Sequence, residues 1–248
     1  MQSHTQEMAA LAEAARTGQT RFNIYAGIHK AMRAMLADTL NRIGRTDPGN
    51  PDDVADTTQA VVQMLDFCHS HVQHENTFVH PALEHHRAGV TQAVAHDHSG
   101  HLHHIAELRR LAESLTGAST EERAASLHSL YLLFALFVAD NLAHMHVEET
   151  VLNNALWATC TDAEILAIHD ALVATIPPEE TMWTMRWMLP HLHAGERLAT
   201  LQGMQAGGAP AEVIQAVLEV ARPHLSERDW AGLLRGLGQA PVPGLVTA

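Results

Sequence analysis

The sequence predicts an all-α protein, with an up-down-up-down four-helix bundle over residues 20–159 and a small helical domain over residues 160–248. The composition is 46% hydrophobic but only 4% aromatic, with few runs of β-branched residues, which favours helices over strands. Apolar residues recur at steps of three and four along the long segments of the first part. Because short loops separate these segments, an antiparallel bundle is the economical arrangement.

An N-terminal arm, residues 1–19, is predicted to contain a short amphipathic helix at residues 5–16. The first bundle helix should follow from about Thr20 to Ile43, because apolar residues then recur at helical spacing. One histidine lies on its apolar face. That face is expected to contain Phe22, Tyr25, His29, Met32, Leu36, Thr39 and Ile43.

The second helix is predicted from about Asp53 to His86, after a loop rich in glycine, proline and aspartate. Proline lacks a backbone N–H and crowds the preceding turn, so Pro81 should bend this helix or end it early. A histidine and a glutamate interrupt the apolar face. The predicted buried residues are Met64, Cys68, His71, Glu75, Phe78 and Ala82.

The third helix, predicted from about residue 91 to 115, has two histidines on its apolar face. A capping box of Ser119 and Glu122 indicates the start of the fourth helix, which should extend to about Trp157. Its longest apolar run, Leu130–Ala139, is about half the length that a membrane span needs, which indicates buried core. The buried face is expected to contain Phe134, Phe137, Asn141, His144, Glu148, Val151 and Ala155.

Shorter helices are predicted over residues 160–248. Another capping box, Thr161 with Glu164, begins the first of them, and Pro177 and Pro178 end it. The others are expected at about Glu179–Leu189, Ala194–Gln205, Ala211–Ala221 and Glu227–Leu237. No pattern in this domain points to chemistry, and its expected role is contact with a protein partner or a second copy of the chain.

A histidine and a glutamate stand four residues apart twice, as His71 with Glu75 and His144 with Glu148. The segments Glu75–Leu83 and Glu148–Leu156 also align without a gap. On a helix, a four-residue step rises about 6 Å and returns to the same face. Buried imidazoles and carboxylates need a partner, and a metal ion supplies one, so the two copies predict a two-metal site.

The candidate ligands are the polar residues on the apolar faces of all four helices. Imidazole and carboxylate donors suit iron, manganese or zinc better than copper(I) or an iron–sulfur cluster. Either glutamate could bridge two ions, and the spacing leaves open whether one or both histidines of the third helix bind. The set is His29, His71, Glu75, His98, His101, His144 and Glu148.

This pattern resembles the hemerythrin-like family, also called HHE cation-binding domains, over about residues 20–157. The resemblance implies a four-helix bundle with a non-haem di-iron centre. In the family, the first helix gives a histidine, the second a histidine and a glutamate four apart, the third one or two histidines, and the fourth a histidine and a carboxylate. In this chain those places are occupied by His29, His71, Glu75, His98 or His101, His144 and Glu148.

The chain departs from the oxygen-carrying members in two places. Its third-helix histidines are three apart, not four, and Glu148 follows His144 by four residues where the carriers have an aspartate five beyond. Both features look more like the bacterial relatives. Many of those relatives have a second glutamate where this chain has Asn76.

Charge and cysteine content restrict the partners. The formal net charge of -13 argues against binding to nucleic acid or to an anionic membrane surface, because both attract basic patches. Cys68 and Cys160 have no framework spacing, and residues 1–16 lack the features of a secretory signal. We therefore expect two free thiols and a cytoplasmic protein that does not bind membranes.

Three functions compete at this point. The resemblance favours a di-iron protein that binds O2, NO or a related small oxidant for sensing, storage or detoxification. The first alternative is a di-iron oxidase, oxygenase or peroxidase that acts on an organic substrate. The second alternative is an interaction module whose zinc or iron occupancy controls docking through residues 160–248.

Overall fold

A computed structural model describes residues 4–18 and 20–240, and within these ranges the chain forms helices joined by turns and loops, without β-strands. The all-α prediction is confirmed. The helices up to residue 159 are α1 (His4–Thr17), α2 (Ala26–Arg45), α3 (Pro51–His74), α4 (His80–His86), α5 (Gln92–Ser114), α6 (Thr120–Val147) and α7 (Asn153–Thr159).

Two π turns interrupt the longest helices. The first, Glu75–Val79, joins α3 to α4, and the second, Glu148–Leu152, joins α6 to α7. A π turn inserts one extra residue into a helix, so the residues after it are rotated relative to a regular α-helix. Both π turns begin at a glutamate that the sequence predicts as a metal ligand.

The π turns correct the predicted buried faces. A regular helix would bury Phe78 and Val151, but both are only partly buried, and the neighbouring Val79 and Leu152 are 1% and 0% exposed instead. The second helix also continues past Pro81 to His86, where the sequence predicted a bend or an early end. In place of the predicted bend or end, the helix has the π turn Glu75–Val79 shortly before Pro81.

The start of α2 differs from the prediction. The helix begins at Ala26, six residues after the expected Thr20. The side-chain oxygen of Asn23 accepts hydrogen bonds from the backbone N–H groups of Tyr25 and Ala26, so a local turn precedes the helix. Arg21 holds this segment by donating to the carbonyl oxygens of Trp157 and Cys160.

Polar contacts give the direction of the bundle helices. Thr58 of α3 donates to the carbonyl of Ala112 in α5, and Asp66 of α3 pairs with Arg109. Contacts between α3 and α5 therefore move toward the start of α5 as α3 proceeds, so the two helices are antiparallel. Asp97 with His144 and His104 with Asp140 show the same relation for α5 and α6. Consequently α3 and α6 run in the same direction.

The remaining helices are α8 (Asp162–Val173), α9 (Pro178–His191), α10 (Ala194–Ala206), α11 (Ala211–Ala221) and α12 (Glu227–Gly236). They lie close to the predicted positions, and the capping boxes at Ser119 and Thr161 are present. The described residues divide into two compact units. One contains Gly27–Ala34 and residues 176–240, and the other contains the described residues up to 26 together with residues 35–175. The domain boundaries at residues 20, 159 and 160 stay a prediction.

The unit that includes the C-terminal helices has its own apolar core, with Leu189, Leu201 and Val217 fully buried. A buried arginine, Arg197, supports that core by donating to the carbonyl oxygens of Leu189 and Leu192. The described residues from Ile176 onward contribute none of the side chains that form the groups able to hold a metal ion.

One helix passes a simple test for a membrane span. By length and composition, the continuous helix Thr120–Thr159 could cross a bilayer. Core helices of proteins without membrane spans pass the same test. Three polar residues of this helix, His144, Glu148 and Asn153, are at most 6% exposed and face the interior of the bundle.

Candidate metal centre

Four side chains from α5, α6 and the two π turns converge inside the bundle. Glu75 and Glu148 stand at the starts of the two π turns, His98 lies on α5, and His144 lies on α6. One ligand atom from each residue lies within 4.8 Å of the others. All four residues are at most 6% exposed. Two carboxylates and two imidazoles therefore share one small, dry volume.

A second group contains the same two glutamates. One ligand atom each from Glu75, Glu148, His71 and His29 also lies within 4.8 Å of the other three. His29 is fully buried, and the side chain of His71 is 11% exposed. Six of the seven predicted ligands thus form two neighbouring groups with the carboxylates in common. Their role in binding metal stays a prediction.

The distances within the groups fit a bound cation. His98 Nε2 is 3.0 Å from His144 Nε2. Each histidine four residues before a glutamate is close to it, with His71 Nε2 3.2 Å from Glu75 Oε1 and His144 Nε2 3.1 Å from Glu148 Oε1. Two atoms that each bind one ion at about 2.1 Å lie roughly 3.0 to 3.4 Å apart, for angles between about 90° and 109°. The donor atoms are therefore spaced like neighbouring ligands of one ion.

The charges of these buried groups are coupled. Burial lowers the pKa of His98, but its contacts with Glu148 and Glu75 outweigh burial and raise the pKa to about 9. Burial also lowers the pKa of His144, and its contact with Glu148 raises it overall. Burial raises the pKa of Glu148, yet contacts with His144 and His98 hold it below its ordinary value. A cation at this point would take the place of the imidazole protons.

Polar side chains lie beside the Nδ1 atoms of two of the imidazoles. His98 Nδ1 is 2.8 Å from Asn76 Oδ1, an acceptor, so the Nδ1–H group donates and Nε2, the atom that a cation would take, faces the glutamates. His144 Nδ1 lies 3.5 Å from the carboxylate of Asp97. Asn76 thus holds the ring of His98, one of the predicted ligands of the third helix.

Two buried groups near the centre lie outside both ligand groups. His101 is 5% exposed, and its ring meets the ring of His144 edge-on at a centroid distance of 4.7 Å. Burial, together with the nearby His144 and His98, lowers the pKa of His101 to about 4, so this ring is neutral near pH 7. Burial raises the pKa of Cys68 to about 12, which makes its thiolate scarce. Of the two third-helix histidines, the geometry thus brings His98 to the glutamates.

Two aromatic residues that the sequence predicts on the apolar helix faces, Tyr25 and Phe137, are 2% and 0% exposed. Burial and the charges of Glu148 and Glu75 raise the pKa of Tyr25 well above its ordinary value, so the phenol stays protonated. Phe78 and Val151, which the sequence also predicts on those faces, are only partly buried because of the π turns.

His80 and Asn153 were missed by sequence reasoning. Each is the residue directly after a π turn, and each is buried. The ring of His80 stacks on the ring of His98, with centroids 5.0 Å apart and planes 2° from parallel. A helical period of 3.6 places both residues off the buried face. The gap-free alignment of Glu75–Leu83 with Glu148–Leu156 was the available signal, since it pairs these two polar residues.

A helical bundle whose core contains two histidine–carboxylate groups belongs to the class of cation-binding four-helix bundles. A comparison with family models matches residues 20–156 to the hemerythrin HHE cation-binding domain. The chain therefore belongs to the hemerythrin HHE family, and metal binding is the function that the family and the buried groups have in common. Comparisons with curated proteins and with solved structures gave no match.

Proposed function

We propose that this chain is a hemerythrin-like non-haem di-iron protein that binds O2, NO or a related small oxidant. The observation that supports this proposal is the membership of Glu75 and Glu148 in both ligand groups. A carboxylate has two oxygen atoms and can bind two ions at once. Two neighbouring ions held by a common pair of carboxylates would use this arrangement without any change in the helices.

The ligand count favours a small molecule as the further ligand. Two six-coordinate ions have roughly twelve positions. Four imidazoles give one donor each and two carboxylates at most two each, which makes eight. Coordination positions are thus left for molecules from outside, and the burial of the ligand residues restricts access to small ones. This restriction is the reason to prefer a small oxidant over an organic substrate.

Iron, when bound, would supply the electron-transfer chemistry that side chains lack. The chain's own residues would hold and isolate it. His29 and His71 would bind on one side of the glutamates, and His98 and His144 on the other. Asn76 would keep His98 in the tautomer that can bind, and the apolar residues around Tyr25 and Phe137 would exclude bulk water, which strengthens interactions between charges.

An absorption spectrum tests the proposal. Protein loaded anaerobically with ferrous iron, with two ions per chain confirmed by metal analysis, is measured before oxygen is admitted, after it is admitted and after it is removed. A visible band that appears and disappears supports reversible binding of oxygen. A band that persists indicates irreversible oxidation and favours the oxidase or peroxidase alternative. If the chain retains zinc in place of iron, or develops no band, the proposal is wrong.

A further inference from the structure

His80 and Asn153 occupy equivalent places, one turn beyond the two glutamates. The backbone N–H of His80 donates to the carbonyl of Glu75, and that of Asn153 donates to the carbonyl of Glu148. Each bond closes a π turn, in which a step of five residues completes about one turn. The two side chains therefore follow their glutamates on the same face of the helix, toward the C-terminal end.

The two residues also lie at the same level of the bundle. Because α3 and α6 run in the same direction and their glutamates belong to common groups, the residues one turn later lie side by side beyond the carboxylates. The helices that begin at His80 and Asn153, α4 and α7, pack against each other. His80 further borders the centre through its stacked contact with His98.

Both side chains bury polar atoms that have no hydrogen-bond partner. His80 is 6% exposed, and its Nε2 atom is unpaired. Asn153 is 0% exposed, and neither its Nδ2 nor its Oδ1 atom is paired. Buried polar atoms are nearly always paired, because an unpaired one loses its bonds to water without a replacement. Neither residue belongs to the ligand groups, so a metal ion alone does not satisfy them.

We propose that His80 Nε2 and the side-chain amide of Asn153 form a hydrogen-bonding site for the small ligand of the metal centre. The inference depends on the proposed function, since it needs a coordination position open to such a ligand. The site suits a small molecule that accepts hydrogen bonds, such as an oxidant that gains negative charge when iron reduces it. Fixed donors in a dry site stabilise such charge more strongly than water does.

Azide, a small anion that binds ferric iron and accepts hydrogen bonds, serves as the probe. The full chain with two ferric ions is titrated with azide, and the dissociation constant is measured from the absorption change. The variants His80→Leu and Asn153→Leu remove the polar atoms at similar volume, and each should bind azide about tenfold more weakly with two irons retained. His80→Gln, which keeps a polar group, should lose less affinity. Thr77→Ala, at an exposed position of the same π turn, should match the unmodified chain.

Two results would overturn the inference. Unchanged azide affinity in both leucine variants would show that the pair does not contact the ligand, whereas loss of one iron in His80→Leu would make His80 a metal ligand instead. If His80→Leu does not fold, His80→Asn replaces it, because a shorter side chain loses the reach but keeps the polarity. Failure of the proposed function is distinguishable, since the unmodified chain would then bind two irons but no azide, or no iron at all.

Discussion

The two segments that begin at His71 and at His144 are the same backbone arrangement with different side chains. In each, a histidine precedes a glutamate by four residues, a π turn starts at the glutamate, and a buried polar residue follows the turn. The residue after the turn is His80 in the first segment and Asn153 in the second. Both segments therefore share the backbone arrangement that positions the glutamate, whereas the residues that follow the π turns differ.

The segments also differ in the side chains that lie beside the histidines of α5 and α6. The first segment gives His98 a neutral partner, the side-chain oxygen of Asn76. His144 of the second segment has an acidic partner, Asp97 of α5, which is 48% exposed at its side chain. A carboxylate beside an imidazole makes it a more basic donor than an amide does. The two imidazoles of the group that contains both, His98 and His144, are therefore expected to differ as donors.

The largest expected effect is the loss of metal when either glutamate is neutralised. Glu75→Gln and Glu148→Gln keep the side-chain size but remove a charge that both ligand groups use. Mutation of a residue that only orients a ligand lowers metal affinity by roughly 10- to 100-fold, and removal of a ligand's charge should lower it further. Metal analysis after loading and dialysis should find little iron in either variant.

His193→Ala is the control for these variants. His193 caps α10 through bonds from the backbone N–H groups of Gly195 and Glu196, and it belongs to neither ligand group. Its metal content should equal that of the unmodified chain. If one glutamate variant kept a full ion while the other lost both, the common use of the carboxylates would be disproved.

Removal of metal should have the next largest effect, on stability. The centre buries two carboxylates with their histidines, and a ligand present at about 1,000 times its dissociation constant stabilises a fold by roughly 4 kcal/mol. For a chain of this size, that corresponds to a fall of about 10 °C in Tm after chelation. Calorimetry of the chelated and loaded protein measures the difference. An unchanged Tm after verified removal would contradict the central role of these residues.

Sequence reasoning identified the ligand pairs but not the turns that join them. His71 with Glu75 and His144 with Glu148 are visible because a spacing of four fits an α-helix. The π turns are not visible in the sequence, since no residue type requires them. Each adds one residue and so breaks the helical period on which the prediction depends. For that reason Phe78 and Val151 were placed on the buried face, and His80 was overlooked.

The start of α2 was missed for a different reason. Apolar spacing continues through Phe22 and Tyr25, so the period alone extends the helix toward Thr20. The bonds that delay the start of the helix come from Asn23 and from Arg21, whose partners Trp157 and Cys160 are more than 130 residues away in sequence. A local sequence pattern does not reveal contacts between residues so far apart in the chain.

A deletion in the first π turn should have a smaller effect, and it tests a difference between the segments. Removing the exposed Thr77 would convert the π turn into a regular turn and place Pro81 inside a continuous α-helix. Its ring would then meet the preceding carbonyl, at a cost of about 3 kcal/mol. Denaturant unfolding should show this loss, and adding Pro81→Asn should recover most of it.

Deletion of Glu149 from the second π turn should cost less; Glu149 is used because Thr150, the residue equivalent to Thr77, is only 4% exposed. Glu149 occupies the place equivalent to Asn76, and Asn154 stands where the first segment has Pro81, so no ring obstructs a regular helix there. If the deletion of Glu149 destabilises the chain as much as that of Thr77, the π turns are themselves required, and proline is not the reason for the cost.

The smallest expected effect concerns His101, the predicted ligand that lies outside both groups. The variant His101→Phe keeps a ring of similar size beside His144 and Phe137, so metal content should change by less than about twofold, within the range of residues that only pack near ligands. His98→Ala should instead lower the metal content clearly, because His98 Nε2 is 3.3 Å from Glu75 and 3.6 Å from Glu148. A loss of iron in His101→Phe equal to that in His98→Ala would mean that α5 rotates on binding metal and presents both histidines, as the three-residue spacing allows.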